Sequence, residues 1–555
     1  MPSLSTLLTW SPTYRSKAAN VIAELAKNDE VRQPCIDAQL VPALVLLLDS
    51  TEQEVLLHAG RAIGRICFEN RDSSMLDCSA VLGWVRLGAG LVSARLGARL
   101  CPVGLVTESL CLAGELQEEL VSMGVITSLV KIMSESSTNE ALVNVCLLAL
   151  GNLSDIEEAK EQLCKTLVAP ELVKVLRRAR THDRQETVLE VLALLSENDV
   201  LKMQLVGAGL HEALADLVQT LMDSPRGEDR SNLKAASDLI VHLLLGDESM
   251  QKLFDNGSGV VYRTVVSWLQ TSNNQLQLAG ALAVANFARN DGNCVGMVAL
   301  GVVHHLLDLL EQHLDNGNAT VQHAALSALR NLAIPVANKV RMLEEGVVER
   351  VQSLLTSDRP PVQFKLLGTL RMLVDGQAEA ADLLGQERGL LQRLVQWCEA
   401  KDHAGVRGEA NRLLASLIRH SKSQDVVGAV VQSGGVKHLI SMAISEHVIM
   451  QNEALIALAL ASALNLDAVA GVYLEAGLVP ALQQLLESEV SAEEVKYNSM
   501  ALLCSLTNSG QEPAKATSRV SVSLALPVPA AQLHTVTKKV SPDPYTCTQT
   551  LIHMI

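Results

Sequence analysis

The sequence predicts an all-α fold, a right-handed superhelical solenoid of stacked helical repeats. Three observations predict it. Gln277 and Asn286 recur 45 residues later as Gln322 and Asn331, each set inside an apolar, helix-forming run (275–291 and 321–335). A repeat of about 40–47 residues built from helices marks an armadillo or HEAT solenoid. Hydrophobic residues make up 48% of the chain but aromatics only 2%, so the core is built from Ala, Leu and Val, which suits helix-on-helix packing. And 555 residues run on without the composition break that would separate classical domains, which a solenoid explains because its core grows by stacking.

Extending the asparagine register gives one slot residue per repeat: Glu24, Arg65, Glu108, Asn152, Leu194, His242, Asn286, Asn331, Met372, Ser416, Leu460 and Ser505, spaced by 41 to 48 residues. This gives about 11–12 armadillo repeats, counting atypical ends. Between slots a small residue and a glycine lead into an apolar helix, as in AGLHEAL, LGVVHHLLDLL, EGVVERVQSLL, SGGVKHLISMA and AGLVPALQQLL. Glycine ends one helix and turns the chain into the next. Each unit therefore reads as a short helix followed by two longer antiparallel ones. The pattern divides the chain into 1–70, armadillo repeats of which the first is incomplete; 71–115, an atypical repeat around VLGWVRLGAGLVSARLGARL; 116–508, armadillo repeats; and 509–555, a Pro- and Ser-bearing tail expected to be disordered.

The net charge of −16 argues against nucleic acid and for a basic partner. Half of that charge lies in residues 183–255, where 14 Asp/Glu face 6 Lys/Arg. Eleven cysteines without a C-x-x-C pair, several of them in apolar runs, read as reduced thiols of a cytosolic or nuclear protein. The one membrane-like stretch, 79–106, is interrupted by Arg86, Arg95 and Arg99, so no membrane span is expected.

In an armadillo unit the last helix lines the groove, with the slot residue and the residue one turn earlier on its inner face. On that reading Glu186, Glu190 and Asp238 project from successive repeats, while Asp223, Glu228 and Asp229 crowd the preceding loop. Clustered carboxylates repel unless a cationic ligand offsets them, and a solvated face is the plainer alternative. Further on, the groove offers Asn286, Arg289, Ser327, Asn331, Arg371 and Arg412. An asparagine there can bind a partner's backbone through both ends of its amide, or can tie its own repeat together. Trp10, Trp84, Trp268 and Trp397 all fall outside the slots, which argues against an importin-type peptide clamp. No catalytic motif, metal-ligand spacing or cofactor fingerprint occurs. Adjacent His304 and His305 point about 100° apart on a helix and cannot share a metal.

The runs LGDESMQKLF (245–254), LQLAGALAVANFARND (276–291), TVQHAALSALRNLAIP (320–335), PPVQFKLLGTLRML (360–373), WCEAKDHAGV (397–406) and SEHVIMQNEAL (445–455) resemble SmgGDS, the small-GTPase GDP dissociation stimulators. The resemblance covers about 16–70 and 116–508. It implies a monomeric, non-enzymatic armadillo exchange factor and chaperone for Rho- and Rap-type GTPases with polybasic, often prenylated tails. It implies that the acidic residues receive the basic tail, that a lipid pocket lies among the N-terminal repeats, and that Asn331 and its neighbours hold the GTPase. Relative to the family pattern the chain lacks about one N-terminal repeat, and Arg65 stands where an asparagine is usual. A passive armadillo scaffold or peptide adaptor is the alternative.

Overall fold

The structure is a computed structural model that describes residues 7–508 apart from 10, 39, most of 48–124, 136–139, 155, 223, 225, 315 and 316. The slots Arg65 and Glu108, the candidate Asp223, the atypical segment 71–115 and the tail 509–555 lie outside the described residues. Among the described residues every regular element is helical. The chain forms two compact units, Met1–Thr264 and Val265–Ile555.

Within each unit the three-helix grammar of the sequence is realised. In one complete repeat, Asp291–Ala299 is followed by Val302–Gln312 and Ala319–Leu332. The first two helices meet at a bend of 78°. The turn between them needs a left-handed residue, which the recurrent glycine supplies at no Cβ penalty. Gly209, Gly301, Gly346, Gly434 and Gly477 all have φ between 75° and 83°.

The third helices carry the slots. They are α1 (Pro12–Leu25), α2 (Glu140–Leu153), α3 (His182–Leu195) and α4 (Asp229–Leu243) in the first unit. In the second they are α5 (Asn274–Phe287), α6 (Ala319–Leu332), α7 (Pro360–Val374), α8 (Ala404–Ser421), α9 (Val448–Glu475) and α10 (Glu493–Asn508). The slot stands twelve residues after the helix start in all of them but α4, where it stands thirteen. Consecutive third helices pack side by side, α2 to α4 in one unit and α5 to α10 in the other.

Two polar devices recur among the third helices. Near the helix start a glutamine reaches back over the preceding loop: Nε2 of Gln185, Gln277 and Gln363 donates to the carbonyls of Ala179, Thr271 and Ser357 at 3.2, 2.7 and 2.8 Å. At the helix end a side chain of the next repeat's first helix satisfies an orphan carbonyl. Asn293 Nδ2 donates to Phe287 O at 3.3 Å, Asn338 Nδ2 to Leu332 O at 2.9 Å, and Ser249 Oγ to Leu243 O at 2.6 Å. The core between helices is aliphatic, with Leu326, Leu329, Leu366 and Leu370 fully buried. Truncating such a leucine to alanine costs about 2–5 kcal/mol.

Helix α9 departs from the grammar, because a third helix and the next first helix run together as 28 residues broken at Asn465 (φ −153°, ψ 70°). By length and composition it is apolar enough to cross a membrane. Its residues instead pack against α8 and α10 in the repeat stack.

Candidate functional site

In the first unit, Glu186 and Glu190 lie one turn apart on the exposed face of α3. His182 Nε2 is 4.0 Å from a Glu186 oxygen, and its Nδ1 is 4.0 Å from Asp229 Oδ1. Asp229 is buried, accepts a hydrogen bond from Ser224 Oγ, and is the first residue of α4, where a carboxylate meets the positive end of the helix. Its carboxylate is thus occupied in starting α4 rather than standing open in a loop. Asp238 forms an i,i+4 ion pair with Lys234 on the same helix. Glu228 is exposed beside the start of α4. The open acidic surface is therefore narrower than the sequence suggests and centres on Glu186 and Glu190.

In the second unit, the polar groups of α7, α8 and α9 form a ladder of alternating charge. Arg371 Nε and Nη2 donate to Glu409 Oε2 and Oε1 at 2.8 and 3.3 Å. Arg412 Nη1 donates to Glu409 Oε1 at 3.1 Å, and its Nε and Nη2 donate to the two oxygens of Glu453 at 2.7 and 2.8 Å. These are forked guanidinium–carboxylate pairs, the strongest geometry for such contacts. The side chains are 12–24% exposed, which leaves them weakly screened by water. Pairing raises the Arg412 pKa above its usual value, with the Glu453 hydrogen bonds the chief cause. Arg371 and Arg412, expected to reach a partner, are thus committed first to one another's repeats.

The two asparagines that set the register behave differently. Asn331 Nδ2 donates to Ala285 O of α5 at 3.1 Å, tying neighbouring third helices. Asn286 is half-buried and makes no side-chain hydrogen bond among the described residues, so its amide is open. Ser327 Oγ donates to His323 O one turn back at 2.8 Å, and Arg289 is exposed at the end of α5. Slots do not always face outward: Ser416 and Leu460 are buried, and the residues one turn earlier, Arg412 and Ile456, are more open. Among the described residues no group of three or more His, Cys, Asp or Glu is placed to hold a metal. His304 lies 4.0 Å from Glu345, while His305 faces Gln270 at 3.1 Å.

The Armadillo/beta-catenin-like repeat family matches residues 28–68. The chain is 53% identical over 517 residues to Rap1 GTPase-GDP dissociation stimulator 1-B of Xenopus laevis, covering 92% of this chain and 84% of that protein. The chain belongs to the GTPase-GDP dissociation stimulators. Another relative, the GTPase-GDP dissociation stimulator vimar of Drosophila melanogaster, is 32% identical over 87% of this chain and 81% of its own length. Among solved structures, a chain from a study of the interaction between cadherin and beta-catenin covers 91% of this chain and 99% of its own, with a TM-score of 0.58 and 17% identity. An engineered protein covers 91% and 98%, with a TM-score of 0.52 and 23% identity. At those identities the likeness establishes the armadillo fold alone.

For this dissociation stimulator, sequence reasoning missed the two carboxylates of the ladder, Glu409 and Glu453. Glu409 was detectable, since it stands three residues before Arg412 and 38 after Arg371. The local repeat, from Met372 to Ser416, is 44 residues, so Glu409 stands on the next third helix, six residues before the position that matches Arg371.

Proposed function

We infer that this chain stimulates release of GDP from small GTPases. The observation that carries this is the 53% identity, over 92% of the chain, to a Rap1 GTPase-GDP dissociation stimulator. The chain does no bond chemistry of its own. It binds an opened or nucleotide-free GTPase more tightly than the GDP-bound form, because only differential affinity moves that equilibrium. Its clients are Rap- and Rho-type GTPases with polybasic, prenylated tails, which it also escorts through the cytosol as a monomer. The exposed Glu186–Glu190 face supports a role for charge in capturing such tails. The open amide of Asn286 and the face that follows it support a GTPase site on the third helices of the second unit. A reducing compartment suits the buried free thiols: burial pushes Cys294 and Cys398 up to about 12.

The test is release of fluorescent GDP from purified Rap1 with and without the chain. Acceleration is expected. Binding without acceleration would leave an escort or scaffold, and no binding would end the reading.

A further inference from the structure

The ladder of α7–α9 ends one anion short. Arg330, in the last turn of α6, extends across α7 at Gly368, where an added Cβ would lie 3.3 Å from Arg330 Nε, 3.4 Å from its Cδ and 3.8 Å from Glu409 Oε2. Glycine here leaves the guanidinium a bed on the helix surface. Lys365 stands one turn before the buried Gly368 on α7 and is itself half-buried, as Arg330 is. Among the described residues neither Arg330 nor Lys365 reaches a carboxylate within ion-pair distance, because Glu409 is already bonded to Arg371 and Arg412. Four cations (Arg330, Lys365, Arg371 and Arg412) thus share two carboxylates, in a chain whose net charge is −16.

This arrangement is costly to the free protein. Burial, then the charge of Arg330, pushes the Lys365 pKa below its usual value, against the pull of Glu409. His323 on α6 is pushed down by burial and by the Lys365 charge, so it adds a neutral ring and no compensating anion. Lys365 Nζ lies 5.8 Å from the centroid of the Phe364 ring, a weak cation–π contact and not an anion. Crowded, partly desolvated like charges without an anion destabilise a fold, and such strain persists where a ligand relieves it.

Beside the cations lies an apolar contact. The Phe364 side chain is 38% exposed and its ring lies over Gly405 of α8, 3.3 Å from where a Cβ would stand. Ile449, at 68%, is exposed on α9. An exposed aromatic two turns before Arg371 on α7, with Lys365 over its ring, offers apolar area that a protein partner can cover and a small free anion cannot use.

We propose that the open face of α6–α9 docks a protein partner that places a carboxylate side chain between Arg330 and Lys365 and covers Phe364. Resting on the reading of this chain as a dissociation stimulator, the partner is the small GTPase and the carboxylate is one of its acidic side chains. That carboxylate continues the alternation Glu453, Arg412, Glu409, Arg371 by one more anion.

The test uses the full chain and purified Rap1 stripped of nucleotide, with Lys365→Met and Arg330→Met, which keep an apolar stem and remove the charge, and Phe364→Ala. Each neutralisation is expected to weaken binding about tenfold, the loss of one charge-assisted contact. Lys365→Met should melt no lower than the wild type, since it removes a repulsion, so its loss of binding is not a loss of folding. If the double neutralisation binds within twofold of the wild type while the wild type still releases GDP, the docking site is wrong and the function stands. A wild-type chain that neither binds nor releases would overturn both. Inorganic phosphate should inhibit no more than chloride at equal ionic strength. Selective inhibition by phosphate, abolished in the double variant, would overturn the carboxylate assignment.

Discussion

Replacing Glu409 with glutamine tests whether the ladder holds neighbouring repeats together. Glutamine keeps the shape, so almost no cavity forms, and its single carbonyl oxygen can still accept up to two of the three donated hydrogen bonds. The charge is lost. Arg412 retains its forked pair with Glu453, so the loss falls on Arg371, whose Nε and Nη2 both point at Glu409. With Glu409 12% and Arg371 15% exposed, solvent screens the pair only in part. The expected coupling is about 1.5–3 kcal/mol, the range for hydrogen bonds to charged groups. A double-mutant cycle of Glu409→Gln with Arg371→Met, read from urea midpoints at unchanged m-value, isolates that coupling. Hydrogen exchange across 360–374 and 404–421 should quicken in Glu409→Gln. A coupling indistinguishable from zero, with exchange unchanged, would refute the ladder. GTPase binding should fall with stability in Glu409→Gln, because the ladder sets the spacing of the face, whereas Lys365→Met should keep stability and lose binding.

The asparagine pair gives a second contrast. Asn331→Ala removes a donor to Ala285 O and should cost about 1 kcal/mol of stability, while Asn286→Ala should leave the melting temperature unchanged and weaken GTPase binding; the reverse order would return Asn286 to a structural role. Glu190→Lys combined with Asp238→Lys should weaken binding of basic-tailed clients and flatten its dependence on salt, and an unchanged slope would remove the acidic face from the mechanism. Stability should also fall on mild acidification. Burial pushes His313, His420 and His438 below their usual value of 6.5. A base whose folded pKa is depressed contributes its full stability above the unfolded pKa and loses it as pH falls through the folded value. Melting temperatures should therefore decline from pH 7.5 to pH 5. His313→Gln should reduce the decline, because His313 Nδ1 accepts from Asn318 N at 3.1 Å and cannot do so once protonated. A flat profile would refute the burial argument.

The repeat register was legible because the third helices bury one stripe and several close with the same kind of polar bond, so Asn286 and Asn331 mark a place in the helix whatever they bond to. Which way that place faces was less legible. Ser416 and Leu460 occupy the slot yet are buried, because the residue that faces out depends on how each helix is turned about its axis, and the sequence period does not fix that turn. The ion ladder escaped for a related reason. Arg371 and Glu409 are 38 residues apart, Arg412 and Glu453 are 41, and a pairing between repeats depends on that same rotation. Asp229 was read as part of an acidic loop, whereas it begins α4 and is engaged with Ser224. A carboxylate just ahead of an apolar run is as much a sign of a helix start as of a ligand site.

The ladder and its unfilled end also bear on how an armadillo surface could drive exchange. A face that bound GDP-loaded and nucleotide-free GTPase equally well would hold its client and release nothing, however tight the contact. The forked pairs from Arg371 to Glu453 fix the spacing of α7, α8 and α9, so the surface presents the Arg330–Lys365 gap without having to adapt to what arrives. A rigid gap selects among client conformations according to where each places its carboxylate. If the gap contributes to exchange, neutralising Arg330 and Lys365 must cost more affinity for the nucleotide-free GTPase than for the GDP-bound one, and GDP release must slow by the ratio of the two losses. Equal losses would make the same residues an anchor, and the differential contact would then lie elsewhere on the client.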